Sequence, residues 1–426
     1  MKKIFAALAL SFMLFAPPAQ AQESDNGAGS INRLTLQAMQ AAIKGSKDAS
    51  DNVVLSPYNA LTNMALVGAG AKGSTRNEFA KALFGKDGEA FRAEAENLMQ
   101  MNKRILAANK GIVEITTANG IWANHDRLQL DPDYEQIARE VFGSTVELEN
   151  FTDPDVPERI NQWASDNTNG LITKIIEKLK KDDAMVLASA LYFKGDWSWK
   201  FDKELTEDKP FALDGGKKKT TPMMRQDFTE EGRLRWQEGD DYEAVALTYG
   251  EKREPYMGMG GTNPSMRIVL LRPKDDAVPA KKWLAKQDAA QPARWLDPAA
   301  YENAKGVVEL PHIDIKQKTD LIPVLKALGI YKAFGSGADF SGMGQADGGK
   351  LYVSKVSHDV VFKTDEEGSE AAAVTTTTIG ITSVRIDEAK RIEIKFDRSF
   401  VFALQDVATG TVLFMGAVNK PNDEMK

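Results

Sequence analysis

Between Ala371 and Val384 the chain carries neither a charge nor a proline, and four consecutive threonines, Thr375 to Thr378, sit between Val374 and Ile379. Val, Ile and Thr favour the pleated surface of a sheet. Long connections are uncommon in compact domains and are usually functional or disordered. Disordered ones are rich in Pro, Glu and Lys, none of which occurs here. As a strand, Ser369, Ala371, Ala373, Thr375 and Thr377 would share one face. All five are small, so a sheet could bury that face without burying a charge. Composition alone leaves two readings open: a Thr-rich linker or ordinary edge strand, and a loop able to enter a sheet.

The remaining periodicities define the company this segment keeps. A helix is predicted from Ser30, with Ile31, Leu34, Ala38, Ala41 and Ala42 on one face. Val53-Val54-Leu55 reads as a short strand, and Ser56-Pro57 as N-cap and first position of the next helix. Residues 56–110, 132–142 and 156–179 read as mainly helical, and 112–122 as a strand. The nearly unbroken apolar run 185–193 has the pattern of a strand buried on both faces. Strand-like runs fill 200–275, a short helical stretch follows at 281–296, and strands dominate after Val307 apart from a helix at 321–328. Ile392, Ile394 and Phe396 alternate with Arg391, Glu393 and Lys395, so one face is buried. Two apolar strands, 400–404 and 412–418, are joined by a turn at Ala408-Thr409-Gly410. Helices early and strands late predict an α+β fold in which distant segments share sheets.

Composition removes several kinds of chemistry. The 426 residues include no Cys, which excludes disulfides, thiolate nucleophiles and Cys-ligated metals. The three His, at 125, 312 and 358, have no metal-ligand spacing, so no metal and no cofactor is expected. A formal charge of −7 argues against a dedicated nucleic-acid binder. No G-x-S-x-G motif marks a hydrolase nucleophile. Gly68 to Ser74 lacks the Gly-Lys-Ser/Thr order of a phosphate loop and reads as a helix end and turn. Lys217-Lys218-Lys219 reads as a solvated hairpin tip.

The N-terminus reads as a secretory signal: Lys2 and Lys3, an apolar run over 4–16, then the small-x-small triplet Ala19-Gln20-Ala21. Cleavage after Ala21 would remove two lysines and no acid, taking the formal charge from −7 to −9. Residues 22–30 are a flexible leader, and no later stretch has the ~18–20 apolar residues of a membrane span. The expected product is soluble, and secreted or periplasmic.

An ordered set of motifs resembles the serpin family, in the manner of secreted bacterial inhibitory members. The set opens with Asn52-Val53-Val54-Leu55-Ser56-Pro57, then Asn161-x-Trp163 before Thr168-Asn169-Gly170. Next come Leu191-Tyr192-Phe193-Lys194-Gly195-x-Trp197, Pro222-Met223-Met224 and Gly337-Ala338-Asp339-Phe340-Ser341-Gly342-Met343. Val356-Ser357-His358 precedes a hinge pattern, Glu366-Glu367-Gly368-Ser369-Glu370-Ala371-Ala372-Ala373. Phe396-Asp397-Arg398-Ser399-Phe400 and Leu413-Phe414-Met415-Gly416 close the series. Each motif is weak alone; their order is specific.

The resemblance implies one domain over 31–426 with three β-sheets, eight or nine helices, a metastable native state and an exposed reactive-centre loop at about 368–390. It implies a suicide inhibitor of serine proteases, with cysteine proteases as a further target class. The cleaved loop would insert into the main sheet and carry the acylated enzyme with it. About 14 residues at ~3.3 Å each give roughly 45 Å of strand. No nucleic-acid or membrane partner is implied, and the protein is expected to be a monomer. The alternative is a non-inhibitory member acting as a binding or scaffold protein.

Counting fourteen positions from the hinge Gly368 puts the scissile bond at Thr382–Ser383, with Ile381 and Arg385 as alternative scissile residues. Small and β-branched residues there suit an elastase-like or subtilisin-like enzyme. The resemblance also implies a shutter of Ser56, Ser189 and His358, with Ser189 where the family usually has Asn, and a breach that includes Trp197. His312 stands where the family often has a Lys near the hinge Glu. A His312–Glu366 contact would make sheet opening pH-dependent.

Overall fold

The computed structural model describes residues 27–46, 48, 50–229, 233–250, 265–369 and 390–423. Six of the nine α-helices among them end before residue 168, and strands dominate after 184. The α+β organisation follows from this order.

Helix Pro57–Ala69 is apolar on nearly every side and almost wholly buried, so it belongs to the core. Its expected side-chain cap is not made. The Ser56 hydroxyl instead donates to the Leu413 carbonyl at 2.8 Å, tying the helix start to a strand distant in sequence. Helix Pro132–Glu140 does have its cap, with the Asp131 carboxylate accepting from the Asp133 N–H at 2.9 Å. Helix Val156–Asn167 ends well before 179, against the periodicity. Asn169 and Gly170 adopt left-handed backbone, φ 49° and 80°, which terminates a helix. The following chain is held by Asn161, whose amide bonds the backbone of Ile175 and Ile176.

The largest sheet runs Val53–Leu55, Val412–Val418, Phe400–Asp406, Met266–Pro273, Tyr242–Tyr249, Leu234–Glu238, Glu302–Pro311, Lys218–Asp227, Glu207–Ala212. Arg391–Lys395 adds to it in parallel beside Glu302–Pro311. Phe400–Asp406 and Val412–Val418 are buried at every residue.

Two smaller groups hold the hinge. In one, Thr145–Glu149 runs parallel to Glu114–Asn124, which pairs antiparallel with Met185–Asp196. In the other, Ser357–Thr364 pairs antiparallel with Ile313–Asp320, flanked by Asn422–Asp423. Strand Ser357–Thr364 alternates, turning His358, Val360, Phe362 and Thr364 inward. Phe362 stacks on Phe402 of the large sheet at 4.3 Å.

Among the described residues, Met185–Asp196 and Ser357–Thr364 do not pair with each other. A cavity lies between them, lined by Leu191, Tyr192, Phe193, Val361, Phe362 and Ser369. Double-sided burial therefore holds only for the later part of the Met185–Asp196 strand; Met185 to Ser189 are half-exposed. No described helix is long and apolar enough to cross a membrane.

Candidate functional site

The chain leaves strand Ser357–Thr364 and reverses at a two-residue turn, Glu366-Glu367. The Asp365 N–H donates to the Gly368 carbonyl at 2.9 Å. The Asp365 carboxylate accepts from the N–H groups of Glu367 and Gly368, at 2.9 and 3.3 Å. Short acidic side chains bond their own backbone two residues on in this way. Gly368 and Ser369 then pair antiparallel with Asp196 and Gly195. Gly368 and Ser369, expected as the start of an exposed reactive loop, belong instead to the sheet. Gly368 leaves no room for a side chain: a Cβ there would lie 2.1 Å from the Gly195 carbonyl oxygen.

Several elements grip the turn. The Trp197 indole N–H donates to the Asp365 carbonyl, and its backbone N–H to the Glu367 carbonyl, both at 2.8 Å. The Phe201 N–H donates to the Glu366 carbonyl at 3.0 Å. Lys200 and Lys203 pair with the Glu367 carboxylate at 2.5 and 2.8 Å, and their hydrogen bonds hold that carboxyl below its usual range. Glu366 Oε1 lies 2.7 Å from both Thr206 Oγ1 and His312 Nε2. The buried Ser369 hydroxyl is 2.8 Å from the Tyr249 hydroxyl, and the Tyr249 ring stacks on Trp197 at 4.4 Å.

Below the turn, the Ser56 N–H donates to His358 Nε2 at 2.9 Å. An accepting Nε2 requires the proton on Nδ1. Burial pushes the His358 imidazole down to about 4, so it stays neutral in the fold. Ser189 lies half-buried opposite Asn119. Among the described residues it makes no hydrogen bond to Ser56 or His358. The Asn119 side-chain oxygen beside it is buried without a partner.

The structure thus gathers Trp197, His312, Glu366, Gly368 and Ser369 at the turn, and joins Ser56 to His358, with Ser189 standing apart. Glu370, Ala371, Ala372, Ala373, Ile381, Thr382, Ser383 and Arg385 lie outside the described residues, as do residues 1–21. The sequence reading missed the roles of Lys200, Lys203, Thr206, Asn119 and Tyr249. Lys200 and Lys203 follow Trp197 closely and could have been found as flanking charges. Tyr249 is 120 positions from Ser369 and gives no local signal. Among the described residues no group of three or more acidic or His side chains could hold a metal ion.

Comparison with known proteins defines the class. The family model described as serpin (serine protease inhibitor) matches residues 30–421, and the chain belongs to the serpin family. Members of this family are typically serine protease inhibitors rather than enzymes. The chain is 31% identical to Serpin-ZXA of Oryza sativa subsp. japonica, covering 88% of this chain and 91% of that protein. It is 29% identical to human Serpin B8, covering 89% and 96%. Its fold is similar to that of the thermophilic serpin tengpin in the native state, with a TM-score of 0.78, 22% identity and coverage of 93% and 94%. A second fold neighbour is thyroxine-binding globulin in complex with thyroxine, with a TM-score of 0.75, 21% identity and coverage of 93% and 99%.

Two outcomes are expected here. Gly368→Ala should force the hinge pair off the Met185–Asp196 strand and destabilise the protein by about 1–3 kcal/mol. Denaturant unfolding together with hydrogen exchange at residues 195–197 checks this; unchanged exchange would contradict it. For His358, the folded pKa of about 4 lies below the unfolded value of about 6.5. Stability is then full above pH ~6.5 and falls as pH drops toward ~4, by up to roughly 3 kcal/mol. Guanidinium unfolding at pH 7.5 and 4.5 should show a larger acid loss in the parent than in His358→Gln. Equal losses would reject the assignment.

Proposed function

We propose that this chain is an inhibitory serpin that traps proteases by inserting its cleaved loop between the Met185–Asp196 and Ser357–Thr364 strands. One observation carries the reading: Gly368 and Ser369 already pair in register at the top of two edges with no other described partner. Continuing that register sets Ala371 against Phe193, Ala373 against Leu191, Thr375 against Ser189 and Thr377 against Leu187. These four share the inward face of Ser369, and all are small enough to lie over the buried rings and side chains of Phe193 and Leu191. On the other edge, the two-residue turn sets Thr364 against Ser369, and the same count brings His358 opposite Thr375. A hydroxyl would then arrive between Ser189 and His358.

Magnitudes indicate where the drive comes from. A central strand gains two ladder bonds per residue, each worth about 1 kcal/mol net. Ordering the backbone costs about 1–2 kcal/mol per residue. These nearly cancel, so the surplus comes from covering apolar surface, including the half-exposed stretch from Met185 to Ser189.

In the reaction, the protease serine Oγ attacks the Thr382 carbonyl carbon. The Thr382–Ser383 bond breaks, the Ser383 amine leaves with a proton, and an ester joins Thr382 to the enzyme. Insertion then displaces the ester before water hydrolyses it. Elastase-like or subtilisin-like enzymes are the first targets, with Ile381 and Arg385 as alternative scissile residues and cysteine proteases as a further class. We read 1–21 as a cleaved signal, 31–426 as one domain, and the product as a soluble monomer, secreted or periplasmic.

Incubation with a panel of elastase-like, subtilisin-like and trypsin-like proteases should yield an SDS-stable complex and a C-terminal peptide beginning at Ser383. The loop-cleaved protein should also melt well above the intact one. A peptide starting elsewhere moves the bond. Clean cleavage with no complex and no melting rise defeats inhibition and favours the binding or scaffold reading.

A further inference from the structure

The turn before the hinge is held through two adjacent carboxylates, and they are held differently. Glu367 takes two ammonium groups, Lys200 and Lys203. Buried Glu366 takes the Thr206 hydroxyl and the His312 imidazole, both at 2.7 Å on Oε1. The backbone of His312 is anchored, its main-chain N–H donating to the Pro222 carbonyl at 3.0 Å. Its side chain is 30% exposed, so protons reach it from solvent. An ordinary imidazole changes charge between pH 5 and 8.

The geometry points to a pH-set hold on the hinge, in which protonated His312 clamps Glu366 and the turn, and neutral His312 lets the turn open more readily. The inference rests on the reading of Gly368-Ser369 as the start of an inserting strand.

Charged groups are carried by the elements around this pair. The turn supplies Asp365 and Glu367. The connection after the Met185–Asp196 strand supplies Lys200, Lys203 and Glu207. Strand Glu302–Pro311 supplies Glu309, paired with Lys209 at 2.9 Å. Strands Ile313–Asp320 and Ser357–Thr364 supply Asp314 and Lys363, 3.2 Å apart. Carboxylates and ammonium groups ordinarily keep their charge from pH 5.5 to 8; an imidazole does not. Burial alone would raise Glu366, but the Thr206 and His312 hydrogen bonds outweigh it and hold the carboxyl below its usual range. Glu366 therefore remains an anion throughout.

The sign follows. With the imidazole protonated, the contact is a charge-assisted bond between imidazolium and carboxylate, the stronger kind. With it neutral, an N–H without the positive charge is left on the carboxylate. The hold is tighter in the protonated state.

Hydrogen exchange at Trp197 and Phe201 reads the hold directly, because their N–H groups donate to the Glu367 and Glu366 carbonyls. The intact protein is used, without protease, from pH 5.5 to 8, with rates expressed as protection factors to remove the intrinsic pH dependence. Protection in the parent should fall about fivefold across the range, the difference between a charged and a neutral hydrogen bond. His312→Lys keeps its charge and should give a flat profile. His312→Gln should also be flat, at the parent's high-pH level. A flat parent profile, or a variant profile parallel to the parent, overturns the inference. Complex formation with protease is scored separately: a flat profile in a protein that still traps protease defeats the pH hold alone. Failure to trap protease, with the profile as expected, defeats the inhibitor reading alone.

Discussion

Two long strand edges, Met185–Asp196 and Ser357–Thr364, stand side by side without pairing among the described residues. Unpaired edges are a liability that proteins ordinarily cover or blunt. Here both are braced from behind. Leu191 and Phe193 sink into the main core, and Phe362 stacks on Phe402 of the large sheet. The edges therefore cannot easily collapse onto each other or peel away. The surrounding architecture holds the turn that carries Gly368 and Ser369 onto one of them.

Such a scaffold has little need of catalytic groups of its own. The chain has no Cys, and its one fully buried imidazole, His358, is a neutral acceptor for the Ser56 N–H. The ionisable groups near the hinge are structural. Lys200, Lys203 and His312 hold carboxylates in place, and the Tyr249–Ser369 hydroxyl pair sets where the strand begins. Charge and hydrogen bonding here fix where a backbone segment turns and begins to pair.

Much of this was legible in the sequence. The apolar run before Trp197, the alternation after Arg391 and the hairpin around Thr409 announced their strands through simple periodicity. The His312–Glu366 neighbourhood followed from motifs close to the hinge. Three things were not legible. The helix end at Asn167 depends on left-handed backbone at Asn169 and Gly170, which overrides a continuing apolar pattern. The diversion of Ser56 from capping its helix to bonding Leu413 depends on a strand more than 350 residues away. Tyr249 reaches Ser369 only because Tyr242–Tyr249 ends beside Trp197. Each is a tertiary event with no local trace.

The pairing of Gly368 and Ser369 with Asp196 and Gly195 fixes the register of any strand that continues from it. In its register, one extra residue just after Ser369 would turn Glu370 inward against Phe193, and burying an unpaired carboxylate is costly. Changes of length near the hinge are thus constrained to even steps. The same count exhausts the Met185–Asp196 strand at Ile379, opposite Met185. Under the proposed insertion, residues beyond Ile379 would have no partner on that edge, so their sequence and length would be free to vary while the stretch before them would not.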